Sequence, residues 1–438
     1  DGSSKFGPNN RFGFFPSVSA GWIISKESFM ENMKALSFLK LRTSWGQLGN
    51  NKIDDYQFLA AIERGAWGRN GAQGSYSYNF GSGEQIVTGA APTVRANRDI
   101  RWESVELFNI GIDAGLWNEK LYFTAEYFIK DTKGMLINLP TLGHVGAIDA
   151  VVNAATMRNA GWEFSGQYRH KARSYDFNLG ANITFVENTL TSLGNGGTPI
   201  LSGFLQQANG FIAISDIGQP VGAFHGFQTD GIFQDQEEVA AHAFQAENTG
   251  AGDLRFVDIN NDGVINDDDR TQIGNPTPDF AYGFNGSVAW KGFDASFFFQ
   301  GVSGNEIYRG FSRLDFNDVN QPATRLNRWT GAGTSNTEPR AIAGDPNQNA
   351  RVSDYFVENG SYLRLKNAQI GYTLPKSVAD ALKISSLRLY VSAQNLLTIT
   401  KYSGLDPEIG ARGSLEIGID RGFYPQARTF MGGISLGF

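Results

Sequence analysis

Residues 279–290 read DFAYGFNGSVAW, and their side chains alternate in character. Phe280, Tyr282, Phe284, Val288 and Trp290 share one face; Ala281, Gly283, Asn285, Ser287 and Ala289 share the other. Successive side chains of an extended strand point to opposite faces, so a period of two specifies a β-strand with one strongly apolar side. After Lys291-Gly292 the rhythm resumes, with Phe293, Ala295, Phe297 and Phe299 set against Asp294, Ser296 and Gln300. It recurs in 175–185, where Tyr175, Phe177, Leu179, Ala181, Ile183 and Phe185 alternate with polar or small residues, and again in 121–130, 162–169 and 387–394. In 361–374 the phase slips between Leu365 and Ala368, the mark of a β-bulge. The chain is therefore all-β.

What the apolar side faces decides the class. A soluble sandwich turns it inward, whereas a membrane barrel turns it toward lipid. Hydrophobic residues are 41% of the 438, yet no run approaches the roughly 18–20 apolar residues that a membrane helix needs. The mean hydropathy of −0.28 carries little weight, because alternation cancels it. Aromatics at 13% and 53 glycines are high, and charged residues at 18% fall below the usual share of about 25%. Cysteine is absent. This composition suits an envelope β-protein, and a secreted all-β protein nearly as well. A net charge of −7 and a pI near 5.3 argue against general nucleic-acid binding.

Layout favours the membrane. Aromatics gather beside the turns (Trp117, Tyr175, Trp290 and Tyr372), as interfacial girdles would. Candidate strands near 11–24 and 39–48, 101–116 and 120–130, 160–170 and 174–186, 279–290 and 293–301, and 361–374 and 386–399 form hairpins with modest turns. Connections of roughly 20 to 90 residues separate these hairpins, and 428–438 closes the series. The expectation is a transmembrane antiparallel β-barrel of about 11 strands. An odd count cannot close a bacterial barrel alone, so 1–438 reads as the C-terminal half of a likely 22-stranded wall. On this reading 191–278, 302–360 and 400–427 are extracellular loops, and the remaining strands precede Asp1. With no leader sequence at Asp1, the chain reads as a piece of a longer one. The last segment, RTFMGGISLGF, places Phe430, Ile434, Leu436 and Phe438 on one face. A terminal aromatic there resembles the signal that the barrel-assembly machinery reads.

Several segments resemble the SusC/RagA-type TonB-dependent transporters of Bacteroidetes outer membranes. They run in order from FGPNNRFGFFPSVSAGW and LKLRTSWGQLGN through ESVELFNIGIDAGLWNEKLYFTAEYFIKDTKGML, NAGWEFSGQYR and GQPVGAFHGFQTDGIF. GDLRFVDINNDGVINDDDRTQIGNPTPDFAYGFNGSVAWKGFDASFFFQG, NRWTG, GSYLRLKNAQIGYTLP, LRLYVSAQNLLTITKYSGLDPEI and FMGGISLGF follow. The resemblance implies an outer-membrane importer of oligosaccharides or peptides. It would be plugged by an N-terminal domain, driven by TonB and covered by a SusD-like lipoprotein. The chain departs from that pattern in having no plug, TonB box or N-terminal accessory domain. Its contact with TonB would thus run through residues outside it.

One local motif suggests a metal. Asp258, Asn260, Asp262, Val264, Asn266 and Asp269 occupy positions 1, 3, 5, 7, 9 and 12 of a calcium-type loop, with Gly263 at the sharp turn. Oxygen donors at that spacing suit Ca2+, which would pin the loop 191–278. The alternative is an acidic surface turn that uses Asn and Asp for their turn chemistry.

Enzymatic readings find little support. With no cysteine and four histidines (His144, His170, His225 and His242), cysteine catalysis and cysteine-liganded metals are excluded. No G-x-S-x-G or H-E-x-x-H motif occurs. The paired carboxylates Glu237–Glu238 and Asp267–Asp269 read as acidic loop residues. Loop aromatics Trp67, Tyr76, Tyr78, Trp329, Tyr355 and Tyr424 suit sugar stacking or partner docking alike. The expected function is nutrient import by a barrel set in outer-membrane lipid, with no catalysis. The alternatives are a secreted all-β glycan-binding or structural protein, and a passive porin.

Overall fold

The structure, a computed structural model, describes residues 1–59, 62–64, 77–80, 85–92, 96–139, 150–315 and 319–438. Eleven strands form one antiparallel sheet whose spatial order follows the chain. We number them β1 Ser17–Ile23, β2 Leu36–Asn50, β3 Glu103–Leu116, β4 Leu121–Leu139, β5 Ala150–Lys171 and β6 Tyr175–Leu193. The remainder are β7 Phe280–Trp290, β8 Phe293–Ser303, β9 Tyr362–Thr373, β10 Ser386–Thr400 and β11 Thr429–Gly437. Each strand pairs with its sequence neighbour, as in a barrel wall, and the sheet is open at β1 and β11. Among the described residues no helix is long and apolar enough to cross a membrane, which says nothing of strands.

The apolar rows lie on the outside. Ile110, Ile112, Phe284, Val288, Ile370, Val391, Phe430 and Ile434 are 39–68% exposed. A sandwich would bury these rows under a second sheet. The belt has two aromatic edges. Tyr175, Trp290, Phe293 and Tyr372 mark the short-turn side, with Phe293 and Tyr372 rings 4.5 Å apart. Tyr127, Trp162, Phe185 and Phe280 mark the other, with Tyr127–Trp162 at 5.0 Å and Phe185–Phe280 at 5.5 Å. From Tyr175 to Phe185 is about ten residues; at ~3.3 Å each and a tilt near 40° this stands roughly 25 Å tall, the height of a barrel's apolar band.

Charges appear where the belt stops. On the outer wall above it, Arg158 grips Asp131 through Nε and Nη2, both at 2.7 Å, Lys133 pairs with Glu106, and Trp45 donates to Glu106 at 2.9 Å. β4, β5 and β6 therefore run past the expected 120–130, 160–170 and 174–186, to Leu139, Ala150 and Leu193 respectively. Above the belt charged residues enter the outward row while Met135, Ile137, Ala155 and Leu190 are buried against the loops, so the alternation that marks a strand in sequence fades there while the hydrogen-bond ladder continues. The connection between β4 and β5 is correspondingly shorter than the sequence pattern suggested.

The inner face is polar and partly ion-paired. Arg42 on β2 reaches across β3 to Glu126 on β4 and also holds Asp113, its Nε 3.2 Å from Oδ1. Gly111 lies between Arg42 and Glu126 in the register; a β-carbon there would stand 3.1 Å from Arg42 Cζ. Gly371 opens the same path between Arg388 and Asp294, which are joined by bonds of 2.9 and 2.5 Å. The bulge expected in 361–374 falls at Lys366.

Short turns lie at one rim. The connections 117–120, 172–174 and 291–292 are tight, and 374–385 carries a short helix, Lys376–Ala381. On the opposite rim, 194–279, 304–361 and 401–428 fold together. The largest buried cluster among the described residues lies in these loops and includes Phe224, Phe256, Tyr308, Val352, Phe356 and Ile419.

Candidate functional site

The loop after β6 is a structured unit. Ile200–Leu205, Gly210–Ser215, Ala223–Gly226 and Thr271–Gly274 form a four-stranded antiparallel sheet inside it. Short strands among turn residues carry weak periodicity, so sequence reading gave this region only as a loop. Tyr308, from the loop after β8, is 1% exposed and packs against Phe224 and Phe356 at 6.0 and 5.6 Å. Its backbone N–H donates to Gly418 and its carbonyl accepts from Asp420, both at 2.9 Å. Three loops thus meet at one residue. Burial raises the Tyr308 phenol well above its usual range.

Buried polar groups lock the first two loops together. Asp253, fully buried, accepts Nε and Nη2 of Arg340 at 2.9 and 2.7 Å, Asn349 Nδ2 at 3.0 Å and the Gly250 N–H at 2.9 Å. Arg351 lies over the Phe256 and Phe227 rings at 4.5 and 5.2 Å, and burial depresses its guanidinium to about 10. Burial also raises the Asp345 carboxyl, although it accepts N–H bonds from Asn349 and Ala350. Asp345 and Arg351 hold the 345–351 turn in place.

The third loop is tied to the wall. Arg364 on β9, with its side chain 3% exposed, binds Asp406 and donates to Glu408 at 2.8 Å; Lys366, placed by the bulge, adds bonds of 2.9 and 2.7 Å to Glu408. Burial alone would raise the Asp406 carboxyl. Arg364 and the N–H groups of Gln426 and Glu408 outweigh it and hold the group below the usual range.

Between these loops lies a cleft of about 460 Å³ lined by Thr229, Arg309, Asn336, Tyr355, Glu358 and Lys401, among others. Arg309 Nη1 sits 3.2 Å from Glu358, with the guanidinium 5.5 Å from the Tyr355 ring centroid. Glu358 also accepts from Ser403 N and Oγ at 2.8 and 2.7 Å. The Tyr355 hydroxyl donates to Glu338 at 2.8 Å, and burial pushes that phenol up. Hydroxyls, amides and one aromatic face suit recognition of a polar ligand. Each carboxylate is engaged structurally, so the arrangement offers no general acid–base pair.

The calcium-type loop adopts a tight turn. Gly263 takes φ 87°, and Asp258 accepts the Asp262 and Gly263 N–H groups at 3.3 and 2.8 Å. Asn260 accepts from Asp262 N and Asp262 from Val264 N, both at 2.9 Å. Asn266 caps the following turn through the Asp268 N–H. Asp269 is fully buried and accepts from Ile259, Asn260 and Asn266 N–H groups at 2.9, 3.4 and 2.9 Å. Among the described residues no three acidic or histidine side chains converge on a common metal position. A carboxylate has about four acceptor sites, so Asp258 and Asp262 retain capacity, whereas Asp269 keeps little.

Other sequence candidates scatter. Tyr355 lines the cleft; Trp329 donates to Gln234 at 3.3 Å and packs on the loop core; Tyr424 is 91% exposed. Trp67 and Tyr76 lie outside the described residues, and Tyr78 is placed only as part of Ser77–Phe80. His170 stacks with Tyr175 at 5.5 Å in the lower girdle, and His242 packs on Phe233 at 5.2 Å. His225 lies under Arg270, where burial lowers its pKa; His144 lies outside the described residues. Glu238 accepts Gln234 N at 2.8 Å, which makes it a turn anchor. Arg309, Glu358 and Lys401 escaped sequence reading because nothing local distinguishes a buried loop arginine from a solvated one.

Residues 1–396 match the family described as TonB dependent receptor-like, beta-barrel. TonB-dependent receptor P3 of Formosa agariphila is 32% identical over all of this chain and 43% of its own length. TonB-dependent receptor SusC of Bacteroides thetaiotaomicron is 29% identical, again over the whole chain and 41% of its own length. The solved RagAB peptide transporter superposes with a TM-score of 0.79 at 25% identity, over 100% of this chain and 45% of that one. The chain thus spans less than half the length of these relatives.

Proposed function

Because this chain belongs to the TonB-dependent receptor-like β-barrel family, we propose that it supplies half the wall and the roofing loops of a 22-stranded importer of oligosaccharides or peptides. Members of the family are outer-membrane transporters and not enzymes. The outward belt and this membership replace the secreted alternative. The observation that carries the reading is a lipid-facing apolar band around a polar inner wall, surmounted by loops that share one core and hold a polar cleft. Arg309, Tyr355, Glu358 and Lys401 would contact the nutrient, with hydroxyl or amide groups bound in the cleft. A SusD-like surface lipoprotein would close over the loops, TonB would act through residues outside this chain, and Phe438 would engage the assembly machinery. The plugged form is preferred to a passive porin because the relatives named here are TonB-dependent receptors.

Deleting the gene should abolish growth on the nutrient while leaving growth on small diffusible sugars intact. Restoring the full-length protein without its TonB-contacting segment should fail to rescue. Equal growth with and without the gene on every oligosaccharide and peptide tried would sink the proposal.

A structural calcium belongs to the same reading. Asp258, Asn260, Asp262 and the Val264 carbonyl present oxygens at the required spacing around Gly263, while Asn266 and Asp269 would have to release N–H bonds to join them. The ion would supply cross-linking only, stiffening the loop between β6 and β7. Metal analysis of protein purified without chelators decides it, and absence of calcium removes the idea.

A further inference from the structure

The upper aromatic edge of the belt is interrupted by a cavity. The β6–β7 ladder runs only as far as Phe185 and Phe280; above that point β6 continues against β5, with single backbone bonds from Val186 to Asp279 and between Leu190 and 218–219. The gap, about 390 Å³, is floored by Tyr127, Trp162 and Phe185, walled by Pro278, and rimmed by Glu187 and Asp279. The three rings share the register parity of the lipid-facing rows, and Trp162 and Phe185 are 50% and 40% exposed. The cavity therefore opens at the boundary between hydrocarbon and headgroups, on the side of the long loops.

Its chemistry is selective. Among the described residues no lysine, arginine or histidine lines it. The nearby guanidinium of Arg158 is held by Asp131 through two nitrogens at 2.7 Å. Glu187, on the same face of β6 as Phe185, is exposed, and its side chain is engaged in no ion pair or hydrogen bond among the described residues. A free carboxylate with no cation beside it repels a phosphate headgroup. It accepts hydrogen bonds from hydroxyls, and flat ring faces stack against the apolar face of a sugar. We propose that this cavity binds the uncharged sugar headgroup of an outer-leaflet lipid. Its acyl chains would run down the adjoining Phe164, Ile183 and Tyr282 rows. Continuity with the belt selects a lipid-borne sugar over a free one, because the tail adds buried apolar area that a free glycan lacks.

Native mass spectrometry tests this on the full-length protein. The protein is reconstituted in nanodiscs of phosphatidylethanolamine doped with digalactosyl diacylglycerol or, separately, phosphatidylglycerol. Wild type and the distant belt variant Ile370→Ala should retain the galactolipid in preference to phosphatidylglycerol. Trp162→Ala should lower that retention about fivefold, the effect of losing one good ring contact. Because Trp162→Ala could impair assembly, the near-isosteric Glu187→Gln provides a second reading and should also lower retention. Free digalactose at equal concentration should not compete. Retention unchanged in both variants, preference for phosphatidylglycerol, competition by free sugar, or burial of Trp162 between two copies of the chain would each overturn the proposal.

Discussion

Arg340 grips Asp253, a residue 87 positions earlier, with its Nε and Nη2 at 2.9 and 2.7 Å, and so welds the loop after β8 to the loop after β6. The carboxylate is fully buried and the guanidinium only partly so. Removing a partner of such a pair leaves a buried charge at a cost of about 3–5 kcal/mol. Arg340→Ala should therefore loosen both loops while leaving the barrel folded. Hydrogen exchange should rise across 229–256 and 336–352 together, and a rise confined to one loop would contradict the weld.

The belt predicts a side-specific response. Phe284 faces lipid and Ser287 faces the interior, three residues apart on β7. Phe284→Arg should cost about 2–4 kcal/mol in a bilayer, whereas Ser287→Arg should be tolerated near zero. Urea unfolding in vesicles reads both, and equal costs would rule out the assignment of faces.

Gly371→Ala tests the glycine passage. The added carbon would lie 2.5 Å from Arg388 Nη2 and 2.7 Å from Asp294 Oδ1, so the ion pair must shift. A loss of roughly 1–3 kcal/mol is expected from the crowding. In an Arg388→Met background the same substitution should cost less, because the crowded guanidinium is gone.

Acidification should release the third loop first. Asp406 titrates below the ordinary carboxylate range in the folded protein, so the unfolded state binds its proton first as pH falls. The stabilisation is complete above the ordinary carboxylate pKa and is lost as pH drops through the depressed folded value. Acid-active protease should cut 401–428 increasingly below about pH 4, and Asp406→Asn should flatten that dependence.

Chelation provides the remaining test. If Asp258, Asn260 and Asp262 hold calcium, EDTA should speed hydrogen exchange in 244–269, and Asp262→Ala should reproduce the effect without chelator. No change on chelation would leave the turn as a purely hydrogen-bonded one.

Sequence reading resolved the wall where it touches lipid and lost definition above it. The segment around Phe280–Trp290 is legible because hydrocarbon on one side and a polar interior on the other force contrast at every step. The slip near Leu365 was legible for the same reason, and it falls at Lys366. The upper reaches of β4 to β6 were not, since Asp131, Lys133 and Arg158 stand on the face that Phe123 and Trp162 occupy lower down. The cleft was illegible for another reason. Thr229, Arg309, Glu358 and Lys401 come together only when three loops share a core, and long-range assembly leaves no period in the chain. Tyr355 was the exception, picked out as a loop aromatic.

That common core also limits how the roof can move. With Tyr308 wedged among three connections, Arg340 bolting two of them and Arg364 anchoring the third, none can swing aside alone. A bulky cargo would have to be admitted by tilting the whole canopy about its roots at the strand tops, or through the opposite rim. Cysteine cross-links placed inside the canopy should then be harmless to passage, while a single staple from canopy to wall should jam it.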